Sequence, residues 1–483
     1  MLDKKNQDIA MTTNFVVVVT DDQGPWATSE HWPELQTPNL DALCSQSTVF
    51  ENYYCASPVC SPARGSLLTG RMPSAHGIHD WLVGGRHPDD REENFLSDVA
   101  TLPEVLSGSG YTCAMVGKWH VGTSKQPAAG FDYWYAHRYG GGPYYEAPIW
   151  DENGQEASEP QYFTYAVADR ACDFLSQRDQ TKPFFLLVNF TAPHSPWIDN
   201  HPRDLLDLYK DTDFPSIPRE TPHPWTQTYN DFADAFADPV PSLRGYAASL
   251  SGVDRAIGQI NDALTEHGLH DDTVFIYMAD NGFSCGQHGL WGKGNGTYPL
   301  NFWENSVRVP CLMHLPGQSE RRTVIEHVSA CSFFETVCEL AGVQAPEDPL
   351  RAAGSVAALV RGEAAENAGP VMVFDEYGGG RMIRYGDYKY IDRFNGPREL
   401  YDFRVDPEER NNVADTAEYR EIQAQLTAWL ADWFAAHETE VNRAFDRDIR
   451  GRGQVHPPST GYADSRLYVF EEESLDGDDT HRK

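Results

Sequence analysis

Asn14-Phe-Val-Val-Val-Val-Thr20 is a nearly unbroken apolar run, and it ends directly in two acids, Asp21 and Asp22. Three later segments share this design of an apolar run followed by residues able to do chemistry: 112–116 before Lys118 and His120, 183–190 before His194, and 272–279 before Asp280 and Asn281. Continuous apolar runs are typical of strands covered by helices on both faces. Ligands of such sheets bind beyond the carboxyl ends of the strands. The pattern predicts an α/β fold with a large, mostly parallel central sheet sandwiched by helices.

The character of the sequence changes near residue 365. Short segments at 371–374, 381–385, 388–391 and 400–403 read as antiparallel strands, and a helix follows with one apolar face: Ile422, Leu426, Trp429, Leu430 and Trp433. We therefore expect a catalytic domain over 12–365 and a smaller α+β subdomain over 366–483 with a short antiparallel sheet, a helix and an acidic tail from Asp464. A long helix over 243–268 and an irregular, proline-rich pocket wall over 196–241 are predicted within the first domain.

The 483 residues include 38 Lys and Arg against 72 Asp and Glu, which gives a formal charge of −34. This excess of acid argues against binding to nucleic acid or to an anionic membrane. No apolar run approaches the length of a membrane span, and the first residues contain no apolar signal region. The nine cysteines are scattered without disulfide or zinc spacing, so a reducing, cytoplasmic location is expected.

The densest chemical pattern is Cys60-Ser-Pro-Ala-Arg64, followed by Leu68-Thr-Gly-Arg71. Pro62 fits the first turn of a helix, which puts Cys60 at or next to the N-cap, where unpaired N–H groups favour an anion or a nucleophile. Arg64 follows four residues later on the same face, and its planar guanidinium suits oxyanions. An isolated cysteine is more often a buried structural residue. The intact pattern favours a reactive site.

These residues resemble the signature of the type I, formylglycine-dependent sulfatases of the alkaline-phosphatase-like superfamily. The resemblance runs from about residue 14 to 435 and continues, in order, through Asp21-Asp22, Gly117-Lys118-Trp-His120, Ala192-Pro-His194, Asp280-Asn281-Gly282, Gly292-Lys293, Tyr388-Lys-Tyr390 and Glu399-Leu-Tyr-Asp402. It implies an alkaline-phosphatase-like fold and a hydrolase of sulfate monoesters. It also implies that a separate formylglycine-generating enzyme oxidises Cys60 to formylglycine, whose hydrate attacks sulfur with one hydroxyl and expels sulfate with the other.

The remaining site residues can be given roles. Asp21, Asp22, Asp280 and Asn281 offer hard oxygen ligands suited to Ca²⁺ or Mg²⁺. The resemblance implies Ca²⁺, touched also by residue 60. It further implies that Lys118 and Lys293 bind sulfate oxygens, that Arg64 orients the hydrated residue 60 and that His120 promotes sulfate release. His194, or Lys293 beside it, would protonate the leaving alcohol.

The substrate pocket is less determined by sequence. Trp81 or Trp291 could stack on a sugar, with Asp80 or His288 binding its hydroxyls, although ordinary packing explains all four equally well. Arg86, Arg381 and Arg393 could meet a second acidic group, with ion pairing the commoner fate.

We expect an exo-acting sulfatase, because the site should be a pocket at the strand ends, and a saccharide substrate, because the loops are rich in aromatic and polar residues. The acidic exterior should repel long polyanions, which favours a small, singly sulfated molecule. An arylsulfatase or alkylsulfatase, a phosphonate or phosphate-ester hydrolase of the same superfamily, and a catalytically silent sulfoglycan-binding protein are the alternatives.

Overall fold

The computed structural model describes residues 13–82, 94–227, 231–364, 369–374, 379–394, 396–443 and 445. The predicted acidic tail and Arg86 lie outside these residues. Sixteen strands lie within these described residues: β1 Asn14–Thr20, β2 Thr48–Tyr54, β3 Thr112–Lys118, β4 Tyr133–His137, β5 Ala147–Trp150, β6 Glu156–Glu159, β7 Phe184–Asn189, β8 Thr273–Ala279, β9 Ser284–Cys285, β10 Trp291–Gly292, β11 Arg308–His314, β12 Arg322–Ser329, β13 Val371–Phe374, β14 Gly380–Tyr385, β15 Tyr388–Arg393 and β16 Glu399–Asp402.

Ten strands form the main sheet in the order β12-β2-β11-β8-β1-β7-β3-β4-β5-β6. The five in its middle, from β8 to β4, run parallel. Thr20 pairs in register with Ala279, and Val19 with Asn189. Because parallel strands end at the same edge, the polar residues that follow β1, β3, β7 and β8 emerge together. The predicted sheet is confirmed, and the edge where these polar residues emerge is the one where the sequence predicts the site.

Helices cover both faces of this sheet. The helices of the described residues are α1 Pro38–Cys44, α2 Cys60–Thr69, α3 Pro73–His76, α4 Leu102–Gly108, α5 Phe163–Gln177, α6 Arg203–Leu206, α7 Asp231–Ala237, α8 Pro239–Glu266, α9 Glu304–Val307, α10 Ser332–Leu340, α11 Ala357–Arg361 and α12 Arg420–Ala436, of which α12 packs on the C-terminal sheet. In β1 the side chains of Phe15, Val17 and Val19 join the apolar core under α2, α4 and α10, while Val16 and Val18 join the opposite core under α5 and α8. All five are at most 3% exposed. This explains why β1 is apolar on both faces.

The C-terminal strands β13 to β16 form a separate antiparallel sheet packed by α12. Within α12 the fully packed apolar side chains are Leu426, Leu430 and Phe434, whereas Trp429 and Trp433 are only partly buried. The apolar spacing therefore predicted the helix correctly. Its buried face differs from the predicted one, because Phe434 is buried there in place of Trp429 and Trp433. Inward side chains of the small sheet, including Val373 and Met382, belong to the same apolar core as the main sheet.

No disulfide ties the two sheets together, since all nine cysteines are free. Within the described ranges, no helix has the length and apolar character needed to cross a membrane. A buried ionic cluster instead links the sheets. Lys389 of β15 contacts Glu409 at 2.6 Å and Glu304 of α9 at 3.0 Å, and the Glu304 backbone N–H donates to Glu409 at 2.7 Å. The C-terminal sheet is thus anchored by charge to the segment that precedes β11.

This cluster predicts a pH-dependent stability. Burial, together with the nearby Glu304 carboxylate, raises the pKa of Glu409 from 4.5 to about 7 despite its contact with Lys389. The folded state therefore keeps a proton that the unfolded chain releases near pH 4.5, so folding loses up to roughly 3 kcal/mol as the pH rises from 4.5 to 7. We expect Glu409→Gln to remove this slope in denaturant titrations across that range. The exposed neighbour Glu408, as Glu408→Gln, should keep it; an identical slope in both variants would contradict the assignment.

Candidate active site

Four buried oxygen-bearing side chains meet where β1 and β8 end. Asp21, Asp22, Asp280 and Asn281 are each at most 3% exposed. The Asn281 amide donates to Asp22 Oδ1 at 2.7 Å, and the Asp22 backbone N–H lies 3.4 Å from Asp280 Oδ1. Asp22 takes a left-handed φ of 62°, and the Tyr246 hydroxyl of α8 donates to its carbonyl oxygen at 2.8 Å. The turn that aims these side chains is held by tertiary contacts as well as by the strand ends.

Cys60 is the first residue of α2, as the position of Pro62 predicts, with Val59 as the N-cap. Its thiol lies 3.2 Å from Asp21 Oδ1, and Lys293 Nζ lies 2.7 Å from its Sγ. Burial, reinforced by the Asp21 carboxylate, raises the pKa of the Cys60 thiol well above its ordinary value. The sulfur therefore sits among charged groups that can act on a substrate, at the positive end of a helix.

Arg64 lies one turn further along α2 and faces the same group of acids. Its Nε donates to Asp280 Oδ2 at 2.8 Å, and its Nη1 donates to the Lys118 carbonyl at 3.2 Å. Although the Arg64 guanidinium opposes the shift, burial and the Asp21 carboxylate raise the pKa of Asp280. The Arg64 Nη2 is buried and has no hydrogen-bond partner. A buried, unpaired guanidinium N–H is costly, so this atom suits a bound oxyanion.

Two lysines complete the charge of the site. Lys118, fully buried at the end of β3, pairs with Asp21, and Lys293 pairs with Asp22 at 2.5 Å. Burial opposes ionisation of Asp21, yet Lys118 above all holds its pKa below the ordinary value. Asn301 positions Lys293 by donating to its backbone carbonyl at 2.9 Å. Three carboxylates and three cationic side chains thus face one another in a largely buried space.

The imidazoles of His120 and His194 differ in which nitrogen carries the hydrogen and in their exposure to solvent. His120 Nε2 lies 2.6 Å from the Leu82 carbonyl, which only accepts, so Nε2 carries the hydrogen and the buried, unpaired Nδ1 carries a lone pair. Burial and Lys118 lower the pKa of His120, which favours the neutral imidazole with its lone pair on Nδ1. By the same reasoning, His194 Nδ1 donates to the Ser195 carbonyl at 2.6 Å. Its Nε2 lies 3.8 Å from Asp22 Oδ2, and its side chain is 29% exposed.

The donor set fits a hard divalent cation. Ligand atoms of Asp21, Cys60 and Asp280 all lie within 4.8 Å of one another. Asn281 Oδ1 is buried and has no hydrogen-bond partner, which is the state expected of an oxygen that awaits a cation. Carboxylate and amide oxygens favour Ca²⁺ or Mg²⁺ over metals that prefer thiolates. Asp21, Asp22, Asp280 and Asn281 are therefore the residues that would hold the ion, beside residue 60.

The four predicted pocket residues are placed less favourably. Trp291 is 2% exposed and packs against Trp197 at 5.8 Å, so its ring offers no face to a sugar. This corrects the stacking expectation for Trp291, whose loop folds inward rather than lining the pocket. His288 stacks on Trp303 at 4.7 Å, and burial lowers its pKa to about 4. Asp80 is fully buried and Trp81 is partly exposed.

The arginines considered for a second acidic group act within the fold. Arg381 pairs with Glu438 at 2.5 Å. Arg393 pairs with Glu399 and donates to the Leu300 carbonyl at 2.7 Å. Both side chains are buried, so these are internal rather than surface ion pairs. Arg393 in particular steadies the loop that carries Lys293.

Sequence reasoning missed several residues that shape the site. Tyr246 is hidden among the apolar positions of α8, and nothing in the spacing marks its hydroxyl. Gly140 and Gly141 lie against the two site imidazoles, and a run of three glycines after β4 was the available signal.

Comparison with known proteins assigns both parts of the chain. A family model described as sulfatase matches residues 13–343, and one described as N-sulphoglucosamine sulphohydrolase, C-terminal, matches residues 286–435. The first of these spans more than half of the 483 residues. Together they cover the main sheet, the site and the small C-terminal sheet.

Individual relatives agree with these models. An N-acetylglucosamine-6-O-sulfatase of Bacteroides thetaiotaomicron is 27% identical over an alignment of 499 positions that covers 87% of this chain and 86% of the relative. A choline-sulfatase of Rhizobium meliloti is 29% identical, with 86% of this chain and 84% of the relative covered. A solved structure, in complex with its substrate D-glucosamine-2-N,6-O-disulfate, is similar with a TM-score of 0.73 at 23% identity, covering 88% of this chain and 98% of that one. The last match concerns the fold.

Proposed function

We propose, from the premise that this chain belongs to the sulfatase family and is a sulfuric ester hydrolase, that its substrate is a short saccharide carrying a single sulfate monoester. The name of the N-acetylglucosamine-6-O-sulfatase relative supports the saccharide class. Exo attack is supported by the burial of the reacting centre, because Cys60 is 3% exposed and Lys118 is fully buried. A buried centre suits a terminal sulfate better than one in the middle of a chain.

The observation that carries the assignment of a sulfate monoester as substrate is the balance of buried charge in the site. Asp21, Asp22 and Asp280 are matched by three cationic side chains, Arg64, Lys118 and Lys293. A bound divalent cation would leave two net positive charges in the site. A sulfate monoester and a deprotonated hydroxyl of residue 60 carry two negative charges between them. Two unpaired atoms suit these charges: Arg64 Nη2 can donate a hydrogen bond to the anion, and Asn281 Oδ1 can serve as an oxygen ligand of the cation.

Two groups are proposed to complete the site. Ca²⁺, held by the four oxygen-bearing residues, would supply electrostatic stabilisation of charge that develops on the sulfate. Formylglycine, formed from Cys60 by a separate oxidising enzyme, would supply a nucleophilic hydroxyl together with a second hydroxyl for the release of sulfate. With such an ion bound to the carboxylates, Lys118 and Lys293 would be available to bind sulfate oxygens, and Arg64 would orient residue 60.

The imidazoles then divide the proton transfers. The lone pair on His120 Nδ1 suits it to take a proton from residue 60 when sulfate is released. His194 is fixed through Nδ1, so its Nε2 first takes a proton from bulk solvent, to which its partial exposure gives access, and then delivers that proton to the leaving alcohol. Lys293 lies close enough to Cys60 to share this second role.

A change of leaving group tests the role of His194. We expect His194→Gln to lower kcat/KM on sugar sulfates by about 10²- to 10⁴-fold, because an alkoxide leaves poorly without a proton. The loss should shrink strongly on an aryl sulfate, whose phenolate leaves without help. Steady-state kinetics on both substrates, with the exposed His270→Gln as control, measures this. An equal loss on both substrates would remove His194 from the acid role.

The substrate proposal is tested by a desulfation screen. Protein matured with a formylglycine-generating enzyme is incubated with mono- and disaccharide sulfates of varied sugar and sulfate position, in parallel with an aryl sulfate, choline sulfate, a phosphate ester and a phosphonate ester. Preferred turnover of one sugar sulfate is the expected result. Dominant turnover of an aryl or choline sulfate would overturn the saccharide class, and dominant phosphoesterase or phosphonate turnover would overturn the sulfate ester. Tight binding of sulfated sugars without any turnover would identify a silent binding protein.

A further inference from the structure

Gly140 and Gly141, the first two of three successive glycines after β4, bring bare backbone against the two site imidazoles. A Cβ on Gly140 would lie 2.2 Å from both Cε1 and Nε2 of His120. A Cβ on Gly141 would lie 2.8 Å from Cε1 of His194. Neither of these two glycines has a positive φ. The requirement for glycine at both positions therefore comes from the space that the imidazoles occupy and not from the backbone conformation.

Both ends of this glycine loop are fixed to buried side chains. At its start, Nδ1 of His137, whose side chain is 1% exposed, donates to the Tyr139 carbonyl at 2.8 Å. At its end, the Tyr144 hydroxyl donates to the His194 carbonyl at 2.7 Å, and the Tyr144 ring stacks on Tyr162 at 5.5 Å. A loop held at both ends has little freedom to retreat from an added methyl group. The imidazole must move instead.

We propose that Gly140 and Gly141 are positioning residues, whose backbone sets the placement of His120 and His194 for proton transfer. The proposal rests on the proposed function, since it assigns its effect to those two imidazoles. Displacement of the His120 ring would break the 2.6 Å contact from Nε2 to the Leu82 carbonyl, which also fixes the tautomer. His194 is more exposed and its glycine contact is longer, so Gly141 should matter less.

Three alanine variants test the proposal. Gly140→Ala is expected to lower kcat by about 10²-fold with little change in KM, the cost of misplacing a catalytic group by about an ångström. Gly141→Ala should cost less, and its loss should be greater on a sugar sulfate than on an aryl sulfate, as for His194. Gly354→Ala is the matched control, because its Cβ meets nothing within 4 Å and its φ is not positive. Gly140→Ala with wild-type kcat would overturn the proposal.

A double-mutant cycle separates this mechanism from general damage to the fold. Alanine at position 120 leaves room for the new methyl group. In the His120→Ala background, Gly140→Ala should therefore cause no further loss of kcat and no further fall in Tm. A full additional loss of kcat or Tm in that background would show that Gly140 acts through another group. The thermal measurement needs no substrate. If wild-type protein released no sulfate from any ester, the proposed function would fail, while the Tm cycle would still test the contact.

Discussion

Cys60→Ala is expected to lower kcat/KM of the matured enzyme by about 10⁴-fold or more, the loss typical of a removed nucleophile. The physical reason is that the surrounding groups bind and polarise the sulfate but none can attack it in place of residue 60. Relative to the unmodified protein, fold stability should change little, because a methyl group replaces a buried thiol that lies 3.2 Å from a carboxylate. Kinetics and a thermal melt on the same preparation measure both. Cys338→Ala, at another buried cysteine on α10, is the control and should keep full activity.

Cys60→Ser refines this prediction. A serine hydroxyl could accept the sulfuryl group but has no second hydroxyl with which to expel it. The variant should therefore stop after at most one turnover and carry an adduct of about 80 Da on residue 60, readable by peptide mass. Sustained turnover by either Cys60 variant would contradict the role of residue 60.

Removal of divalent cations is expected to have the second largest effect. Exhaustive chelation should lower kcat/KM by about 10³-fold, since the cation is asked to supply several kcal/mol of charge stabilisation. It should also lower Tm, because the ion binds only the folded arrangement of Asp21, Asp22, Asp280 and Asn281. Calcium should restore both quantities, and magnesium should restore them less well.

Two variants test whether this ion binds at the proposed site. Asp280→Asn should abolish the calcium-dependent shift in Tm. Asp254→Asn removes a buried acid outside the site, where it accepts from the Leu40 backbone N–H at 2.7 Å, and should keep the shift. Activity and Tm that do not respond to chelation would contradict the metal assignment.

The sequence predicted the sheet and the meeting of the site residues for one reason. Each predicted strand of the parallel core ends in its own polar residues, and parallel strands bring those ends to one edge. Asp21 and Asp280 could be placed together from β1 and β8 alone. The start of α2 at Cys60 was equally readable, because Pro62 is restricted to the first turn of a helix.

The contacts that orient those residues could not be predicted in this way. Tyr246 reaches the Asp22 carbonyl across 224 residues of sequence, and its helical spacing indicates only that it is packed. Trp291 looked like a pocket residue because it precedes Lys293, yet its loop turns the ring into the core. Gly140 has no side chain by which to signal a role, and its role depends on where His120 lies in space. Such features depend on tertiary packing, which local patterns do not encode.

The most direct test of the central claim joins maturation of residue 60 to the release of sulfate. Preparations with graded conversion of Cys60, made by varying co-expression of a formylglycine-generating enzyme, are assayed for inorganic sulfate released from the sugar sulfate that the screen selects. Conversion makes the Cys60 peptide about 18 Da lighter, so its fraction is measured directly by mass. We predict that specific activity rises in proportion to the converted fraction and extrapolates to zero without it. Full conversion with no sulfate released, or equal activity from the unmodified thiol, would contradict the account.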